Sequence, residues 1–125
     1  MIYLDTHVVA WLYGGRSDLF PGGVRSRLET DDLVISPVVH LELQYLYEVG
    51  KATEPATAVI AALDRILNVR VCPLPFETVT NAALDLVFTR DPFDRLITAQ
   101  AQAAEAPLIT KDRGIRAHYA RAVWE

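Results

Sequence analysis

The sequence predicts a three-layer α/β fold, in which helices cover both faces of a central, mostly parallel sheet of about four to five strands. Two observations support this prediction. Short apolar runs that suit buried strands alternate with longer segments that suit helices. Acidic residues also follow several of the strand-like runs, where parallel α/β sheets gather functional residues. No linker, repeat or low-complexity tract interrupts residues 1–125, so we expect a single domain.

The composition is that of an ordinary globular protein. Hydrophobic residues make up 51% of the chain and charged residues 22%, and no apolar run approaches the roughly 18 residues that a membrane-spanning helix needs. The chain begins without the basic region or cleavage site of a signal peptide, so we expect no membrane association and a cytoplasmic location. The lone cysteine, Cys72, excludes a disulfide or a multi-cysteine metal site within one chain.

The net charge of −4 does not exclude a nucleic-acid substrate. The chain has 16 acids and 12 bases, so gathering four acids around metal ions would leave the remaining surface balanced at 12 against 12. The charge therefore argues only against non-specific binding of nucleic acid by the surface as a whole.

The expected elements alternate along the whole chain. Strands are predicted at Ile2–Leu4, Leu33–Ile35, Val69–Cys72 (at an edge of the sheet), Pro107–Thr110 and Ala122–Trp124. Helices are predicted at Thr6–Tyr13, Val24–Glu29, Pro37–Val49, Thr53–Leu67, Glu77–Phe88, Pro92–Ala103 and Gly114–Ala120.

The segment that begins at Arg90 carries an acidic pair on the first turn of a helix. Asp91 occupies the N-cap, Pro92 suits the first helical position, and Asp94 is the third residue of the helix. These two acids also suit a purely structural role, as a cap and a favourable charge at the positive end of the helix dipole.

Three further acids occupy positions typical of a site in an α/β fold. Asp5 follows the first strand and Asp112 a late one, although either could instead serve as a helix cap. Glu42 lies on the helix after the second strand, beside an apolar stripe predicted to face inward and formed by Val38, Leu41, Tyr45 and Val49. It is therefore a candidate for a partly buried acid, with an ordinary position at the edge of the core as the alternative.

Carboxylates that meet at one edge of a sheet repel one another and raise each other's pKa unless a cation compensates them. Oxygen ligands in the absence of cysteine favour Mg²⁺ or Mn²⁺ over zinc or copper. Such a cation can orient water and stabilise charge on a phosphate. Metal-dependent phosphodiester hydrolysis is therefore the chemistry that these residues suggest.

Four phrases of the sequence resemble the PIN domains, and among them the VapC-type ribonuclease toxins of bacterial toxin–antitoxin pairs. The phrases are Tyr3-Leu4-Asp5-Thr6-His7-Val8, Ile35-Ser36-Pro37 followed by Glu42, Asp91-Pro92-Phe93-Asp94-Arg95-Leu96-Ile97, and Leu108-Ile109-Thr110-Lys111-Asp112-Arg113. Each phrase is weak alone, but the four together, in the family's order over nearly the whole chain, are specific.

The resemblance implies a PIN-like fold and an RNA endonuclease that uses Mg²⁺ or Mn²⁺ held by acids. By position, the catalytic and metal-binding acids are Asp5, Glu42, Asp94 and Asp112, with Asp91 as an accessory ligand or a helix cap. It also implies a homodimer, and a cognate antitoxin that blocks the site.

Hydroxyl and basic residues surround these acids in the sequence. By the same resemblance, the hydroxyl groups of Thr6 and Thr110 would orient the metal ligands or waters through hydrogen bonds. The basic residues could grip RNA phosphates, or could be ordinary solvated charges; they are Arg90, Arg95, Lys111, Arg113 and Arg116. His7 is the best placed of the three histidines. Trp11 and Tyr45 are expected in the core or at a dimer interface, with stacking on an RNA base as the less favoured alternative.

Three rival functions fit the acids less well. A phosphoacceptor domain needs an aspartate after a central strand near mid-chain, where Pro73 stands instead, and an Asp-x-Asp phosphatase needs an acid at His7. A catalytically silent PIN-like module that binds RNA or protein remains the alternative. Unpaired clustered carboxylates argue against it, because they are costly to a scaffold that does not use them.

Overall fold

The structure, a computed structural model that describes all 125 residues, is built on a five-stranded sheet with the strand order β3-β2-β1-β4-β5. Every pair of neighbouring strands is parallel. The strands are β1 (Ile2–Leu4), β2 (Leu33–Ile35), β3 (Arg70–Val71), β4 (Leu108–Ile109) and β5 (Ala122–Val123). The predicted parallel sheet is confirmed, and β3 lies at an edge as expected.

Seven α-helices alternate with these strands. They are α1 (Thr6–Tyr13), α2 (Gly22–Thr30), α3 (Val38–Glu48), α4 (Ala56–Leu67), α5 (Phe76–Ala83), α6 (Pro92–Ala103) and α7 (Arg113–His118). None of them combines the length and the apolar character that crossing a bilayer requires.

The central strands show that the fold has three layers. All residues of β1 and β2 are buried, although successive side chains of a strand point to opposite faces of the sheet. Helices must therefore cover both faces, as in the predicted α/β/α arrangement. The main core is one continuous cluster of 24 buried hydrophobic residues centred on this sheet.

The strand order places the ends of β1 and β4 side by side. The chain runs outward from β1 to β2 and β3, and then returns to the other side of β1 as β4. In the β1–β4 pair, Tyr3 is opposite Leu108 and Leu4 is opposite Ile109. This reversal of strand order is where open α/β sheets bind ligands, beyond the carboxyl ends of the strands.

The predicted apolar stripe of α3 was wrong. The buried residues of this helix are Val39, Glu42, Leu43 and Leu46, whereas Leu41 is 62% exposed. Tyr45 and Val49, also predicted inside, are 49% and 47% exposed. Because apolar residues occupy seven of the eleven positions of this helix and lie on more than one face, periodicity alone does not select the face that packs against the rest of the protein.

The helix predicted at Glu77–Phe88 also proved shorter, since α5 ends at Ala83. The Arg95 guanidinium, on α6, donates hydrogen bonds to the carbonyl oxygens of Ala83 at 2.9 Å and Leu84 at 3.2 Å. These bonds satisfy carbonyls that a continued helix would have used. Val87, which lies beyond the end of α5 and within the longer predicted helix, is 66% exposed.

Candidate active site

An open cavity of about 440 Å³, termed the acidic cavity, lies at the carboxyl edge of the sheet. Five acids that are far apart in the sequence line it, together with two aromatic rings and one lysine. The lining residues are Asp5, Glu42, Asp91, Asp94, Asp112, His7, Trp11 and Lys111. All the acids singled out in the sequence therefore come together at one place.

Asp5 lies deepest, with 5% of its surface exposed. Its Oδ2 accepts a hydrogen bond of 2.6 Å from the Thr110 hydroxyl, and its Oδ1 accepts one of 2.8 Å from the backbone N–H of Thr6. Burial raises the pKa of the Asp5 carboxyl, and these two hydrogen bonds oppose the rise because they favour the charged form. Asp5 also caps α1. The same residue is therefore both a helix cap and part of the acidic cavity, the two alternatives that the sequence left open.

Glu42 extends from the buried face of α3 towards the same cavity and is 8% exposed. Its Oε1 is buried and has no hydrogen-bond partner, and the same is true of the neighbouring Thr6 hydroxyl. Burial raises the pKa of Glu42, and the charge of Asp5 adds to the rise. The Thr6 hydroxyl opposes it, although the two groups do not reach hydrogen-bonding geometry.

Asp94 lies on the first turn of α6, beside the other acids. Partial burial raises its pKa to about 7, and the charges of the surrounding carboxylates contribute to the rise; in order of effect they are Asp91, Asp5, Asp112 and Glu42. A cation that entered the cavity would offset this repulsion and favour the charged form of Asp94.

Asp91 and Asp112 are helix caps at the rim of the cavity. Asp91 Oδ1 accepts a hydrogen bond of 2.8 Å from Phe93 N, at the start of α6. Asp112 Oδ1 accepts one of 2.8 Å from Ile115 N, at the start of α7. Each acid uses one oxygen as a cap and keeps the other for a ligand, so capping and ion binding are compatible.

The donor groups of the acidic cavity fit a hard divalent cation. They include five carboxyl groups and no thiol, Glu42 Oε1 is buried without a partner, and burial has raised the pKa of three carboxyls. As the side chains stand, no three acid, imidazole or thiol groups converge closely enough to hold one ion. Repulsion between the carboxylates favours such a spacing, and a shared cation would favour a shorter one.

Only one of the five predicted RNA-contacting bases lines the acidic cavity. Lys111 does so, whereas Arg95 is held against the end of α5 by the bonds described above. The Arg90 guanidinium donates to the carbonyl oxygen of Val87 at 3.3 Å. Arg113 and Arg116 line a separate cavity near the carboxyl terminus.

Trp11 is the cavity residue that the sequence favoured for the core or a dimer interface instead. Its ring packs against Phe20 and Trp124, with centroids 6.2 and 6.1 Å away, and another part of it faces the acidic cavity. Lys111 Nζ lies 5.9 Å from its centroid. The available signal was its position four residues after His7, on the helix that starts beside Asp5, which places both rings on one face.

The PIN domain family matches residues 2–120 of the chain. This chain belongs to the PIN domain family. A curated relative of this PIN domain, the ribonuclease VapC22 of Mycobacterium tuberculosis, is 31% identical to it over 119 residues, which are 94% of this chain and 91% of the relative. The resemblance to the VapC-type PIN domains is therefore confirmed.

Three solved structures share the fold of this PIN domain. VapBC2 from Rickettsia felis, bound to a DNA fragment from their promoter, has a TM-score of 0.68 at 20% identity, over 100% of this chain and 98% of that one. VapBC-1 from nontypeable Haemophilus influenzae has a TM-score of 0.67 at 23% identity, over 100% of this chain and 97% of that one. DNA-bound VapBC from Salmonella typhimurium has a TM-score of 0.65 at 21% identity, over 99% of this chain and 96% of that one.

Proposed function

We propose that this PIN domain is a metal-dependent endoribonuclease of the cytoplasm that acts as the toxin of a toxin–antitoxin pair and is blocked by a cognate antitoxin. The observation that carries the proposal is the acidic cavity, in which five carboxyl groups from distant parts of the chain meet. The relative named as a ribonuclease supports RNA as the substrate. The three related structures, which are VapBC complexes, support an antitoxin partner.

The acids divide the work of holding the ion. In this proposal Asp5, Glu42, Asp94 and Asp112 are the ligands, and Asp91 is an accessory ligand that also caps its helix. A bound Mg²⁺ or Mn²⁺ supplies the positive charge that favours attack on a phosphodiester and stabilises the charge that develops there. Because Glu42 and Asp5 are buried, their carboxyl groups are held in place, and the more exposed acids can move to complete the coordination of the ion.

Two threonines and a lysine support this chemistry. Thr110 orients Asp5 through its hydroxyl, and Thr6 places a second hydroxyl beside Glu42. Lys111 provides a positive charge at the cavity wall for an RNA phosphate. Arg90, Arg113 and Arg116 are exposed and would contact the RNA backbone outside the cavity, whereas Arg95 stabilises the end of α5.

A homodimer is the second part of this proposal. Leu41 and Tyr45, both largely exposed, lie one turn apart on α3, and the Tyr45 ring lies 6.2 Å from that of Phe93 on α6. The exposed Leu41 and Tyr45, with the half-buried Phe93 beside them, form an apolar surface that a second copy of the chain would bury.

A catalytically silent module is the second candidate function. The observation in its favour is that no three acidic groups converge tightly enough for one ion in this arrangement. Against it stands Glu42, because a buried carboxyl oxygen without a partner destabilises a scaffold that makes no use of it.

A digest of total RNA distinguishes the two functions. The antitoxin-free protein is incubated with RNA in Mg²⁺, in Mn²⁺ and in chelator, beside Glu42→Gln and the control Glu48→Gln, an exposed acid of the same helix. We expect discrete fragments in the metal-containing reactions of the wild type and Glu48→Gln, and none with Glu42→Gln. Equal cleavage by Glu42→Gln, or cleavage in chelator, would contradict the proposed site. No cleavage by the wild type would favour the silent module.

A further inference from the structure

We infer that a second cavity, which adjoins the acidic cavity, binds the base of a nucleotide next to the scissile phosphate; this inference rests on the proposed ribonuclease function. The cavity has a volume of about 490 Å³ and lies between α1, α3 and the segment 51–54 that leads to α4. We call it the recess. Its volume falls within the range of small-ligand pockets, which is roughly 300 to 1,000 Å³.

The recess and the acidic cavity share two residues, His7 and Trp11. These rings lie one turn apart on α1, with centroids 6.1 Å from each other. They form the wall between the carboxylates and the recess. An RNA strand whose phosphate lies among the acids therefore has an adjacent base within reach of this wall.

The recess offers surfaces that suit a nucleobase. Leu43 and Leu46 contribute buried apolar side chains from α3, and Trp11 contributes the face or edge of an indole. Phe20 and Trp124 hold this indole from the other side, so it is already ordered before a ligand arrives. Stacking on a fixed aromatic ring is a common way in which proteins bind single-stranded RNA.

The recess carries basic groups that an anionic chain such as RNA would contact, and one acid, Glu54, also lines it. Lys51 lines the recess and Lys111 lines the acidic cavity, and neither takes part in an ion pair. Arg16 also lines the recess but is paired with Asp18, at 3.0 Å. Two free ammonium groups thus flank the His7–Trp11 wall, one for the phosphate on each side of the bound base.

Tryptophan fluorescence provides a test that does not depend on cleavage. The chain has two tryptophans, so Trp124→Phe leaves Trp11 as the only indole and Trp11→Phe leaves Trp124. Both variants are prepared with Asp94→Asn, which should slow cleavage strongly, and titrated in Mg²⁺ with a mixed-sequence single-stranded RNA of eight nucleotides that carries an end label. Anisotropy of the label reports RNA binding in the same titration.

We expect the RNA to quench the Trp11 fluorescence of Trp124→Phe strongly and the fluorescence of Trp11→Phe little. Binding without quenching of Trp11 would overturn the inference and leave the proposed function intact. If no RNA binds to either protein, this inference fails, whereas the ribonuclease proposal is decided separately by cleavage with the wild type in the digest of total RNA.

Filling the recess gives an independent test. Ala52 lines the recess but not the acidic cavity. The substitution Ala52→Tyr therefore obstructs the recess and leaves the acidic cavity open. We expect RNA affinity to fall about tenfold or more, the effect of losing one stacked base, while Mn²⁺ affinity stays unchanged. The control Ala61→Tyr, on the exposed surface of α4, should change neither. Unchanged RNA affinity in a folded Ala52→Tyr protein would contradict the inference.

Discussion

The hydroxyl of Thr110, just beyond β4, donates a hydrogen bond of 2.6 Å to Oδ2 of Asp5, just beyond β1. The same hydroxyl oxygen accepts a bond of 3.1 Å from the backbone N–H of Asp112. One buried side chain thus links the acids that follow the two central strands, at the point where the strand order reverses. The position of Asp5 is consequently fixed by a neighbour that carries no charge itself.

Replacing Thr110 by valine should strongly reduce the rate of RNA cleavage while the protein remains folded. Valine has the same shape but cannot donate to Asp5, so the carboxylate loses the bond that orients it. Loss of such an orienting partner typically reduces activity or metal affinity about 10- to 100-fold. Cleavage rates measured over a range of Mg²⁺ concentrations would show the deficit and its partial correction at high metal.

Thr110→Ser is the matched control for this change. Serine retains the hydroxyl, and we expect its cleavage rate to remain within a few-fold of the wild type. Equal activity of the valine and wild-type proteins at limiting Mg²⁺ would show that Asp5 does not need this hydrogen bond.

The metal-free protein should lose stability as the pH rises towards neutral, and Asp94→Asn should lose less. The pKa of Asp94 is raised from 3.8 to about 7, so the folded state binds more protons than the unfolded state between these values. The stabilisation from its proton is complete below the lower value and is lost as the pH rises through the upper one. Asparagine has no such dependence.

We expect the difference in free energy of unfolding between Asp94→Asn and the wild type to grow by about 1 to 2 kcal/mol from pH 5 to pH 8 in chelator. The full 1.36 kcal/mol per pKa unit is reduced because the carboxylate is partly hydrated and screened. Denaturant melts at several pH values would measure it. Parallel curves for the two proteins would indicate that Asp94 ionises normally in the fold.

Thr98→Val should stabilise the protein. Thr98 is 1% exposed on α6, and its hydroxyl oxygen has no hydrogen-bond partner. Valine removes this buried polar group without changing the volume, for a gain of about 1 kcal/mol and a melting temperature higher by roughly 3 to 6 °C. Thr110→Val should lower the melting temperature in the same assay, because the hydroxyl that it removes is hydrogen-bonded to Asp5. A fall for Thr98→Val would reveal a partner for its hydroxyl.

Leu41→Glu should convert the proposed homodimer to a monomer. Leu41 is 62% exposed beside Tyr45, and a charge there would have to be desolvated when a second copy covers this surface. Light scattering during size exclusion would measure the mass. The control Ile66→Glu alters a side chain on α4 that is equally open, at 68% exposure, and should leave the dimer intact. A monomeric wild type would contradict the dimer altogether.

The positions of the acids could be predicted because strand ends are local features of a sequence. Asp5 and Asp112 follow apolar runs, and Asp91-Pro92 marks a helix start by itself. The alternation of elements then requires parallel strands, which share one carboxyl edge. The sequence therefore indicated that these acids would meet, without indicating the spacing of their carboxylates.

Features that depend on distant contacts could not be predicted. The carbonyl oxygens at the end of α5 accept hydrogen bonds from Arg95, which lies twelve residues beyond Ala83, and no local signal at Ala83 indicates this contact. The buried face of α3 depends on which of two apolar stripes packs inside, and Glu42 is buried on that face. Trp11 looked like a core residue because one part of its ring is in fact packed in the core.

The central claim is that the acidic cavity is a metal-dependent ribonuclease centre, and paired single-turnover digests of one mapped RNA site test it most directly. Asp94→Asn is compared with the wild type and with Asp64→Asn, an exposed acid of α4, in Mg²⁺ and in chelator. We expect Mg²⁺-dependent cleavage at equal rates by the wild type and Asp64→Asn. Asp94→Asn should be slower by about 100-fold or more, since each 1.36 kcal/mol of lost stabilisation is a factor of ten. Cleavage by Asp94→Asn at the wild-type rate, or undiminished cleavage in chelator, would contradict the claim.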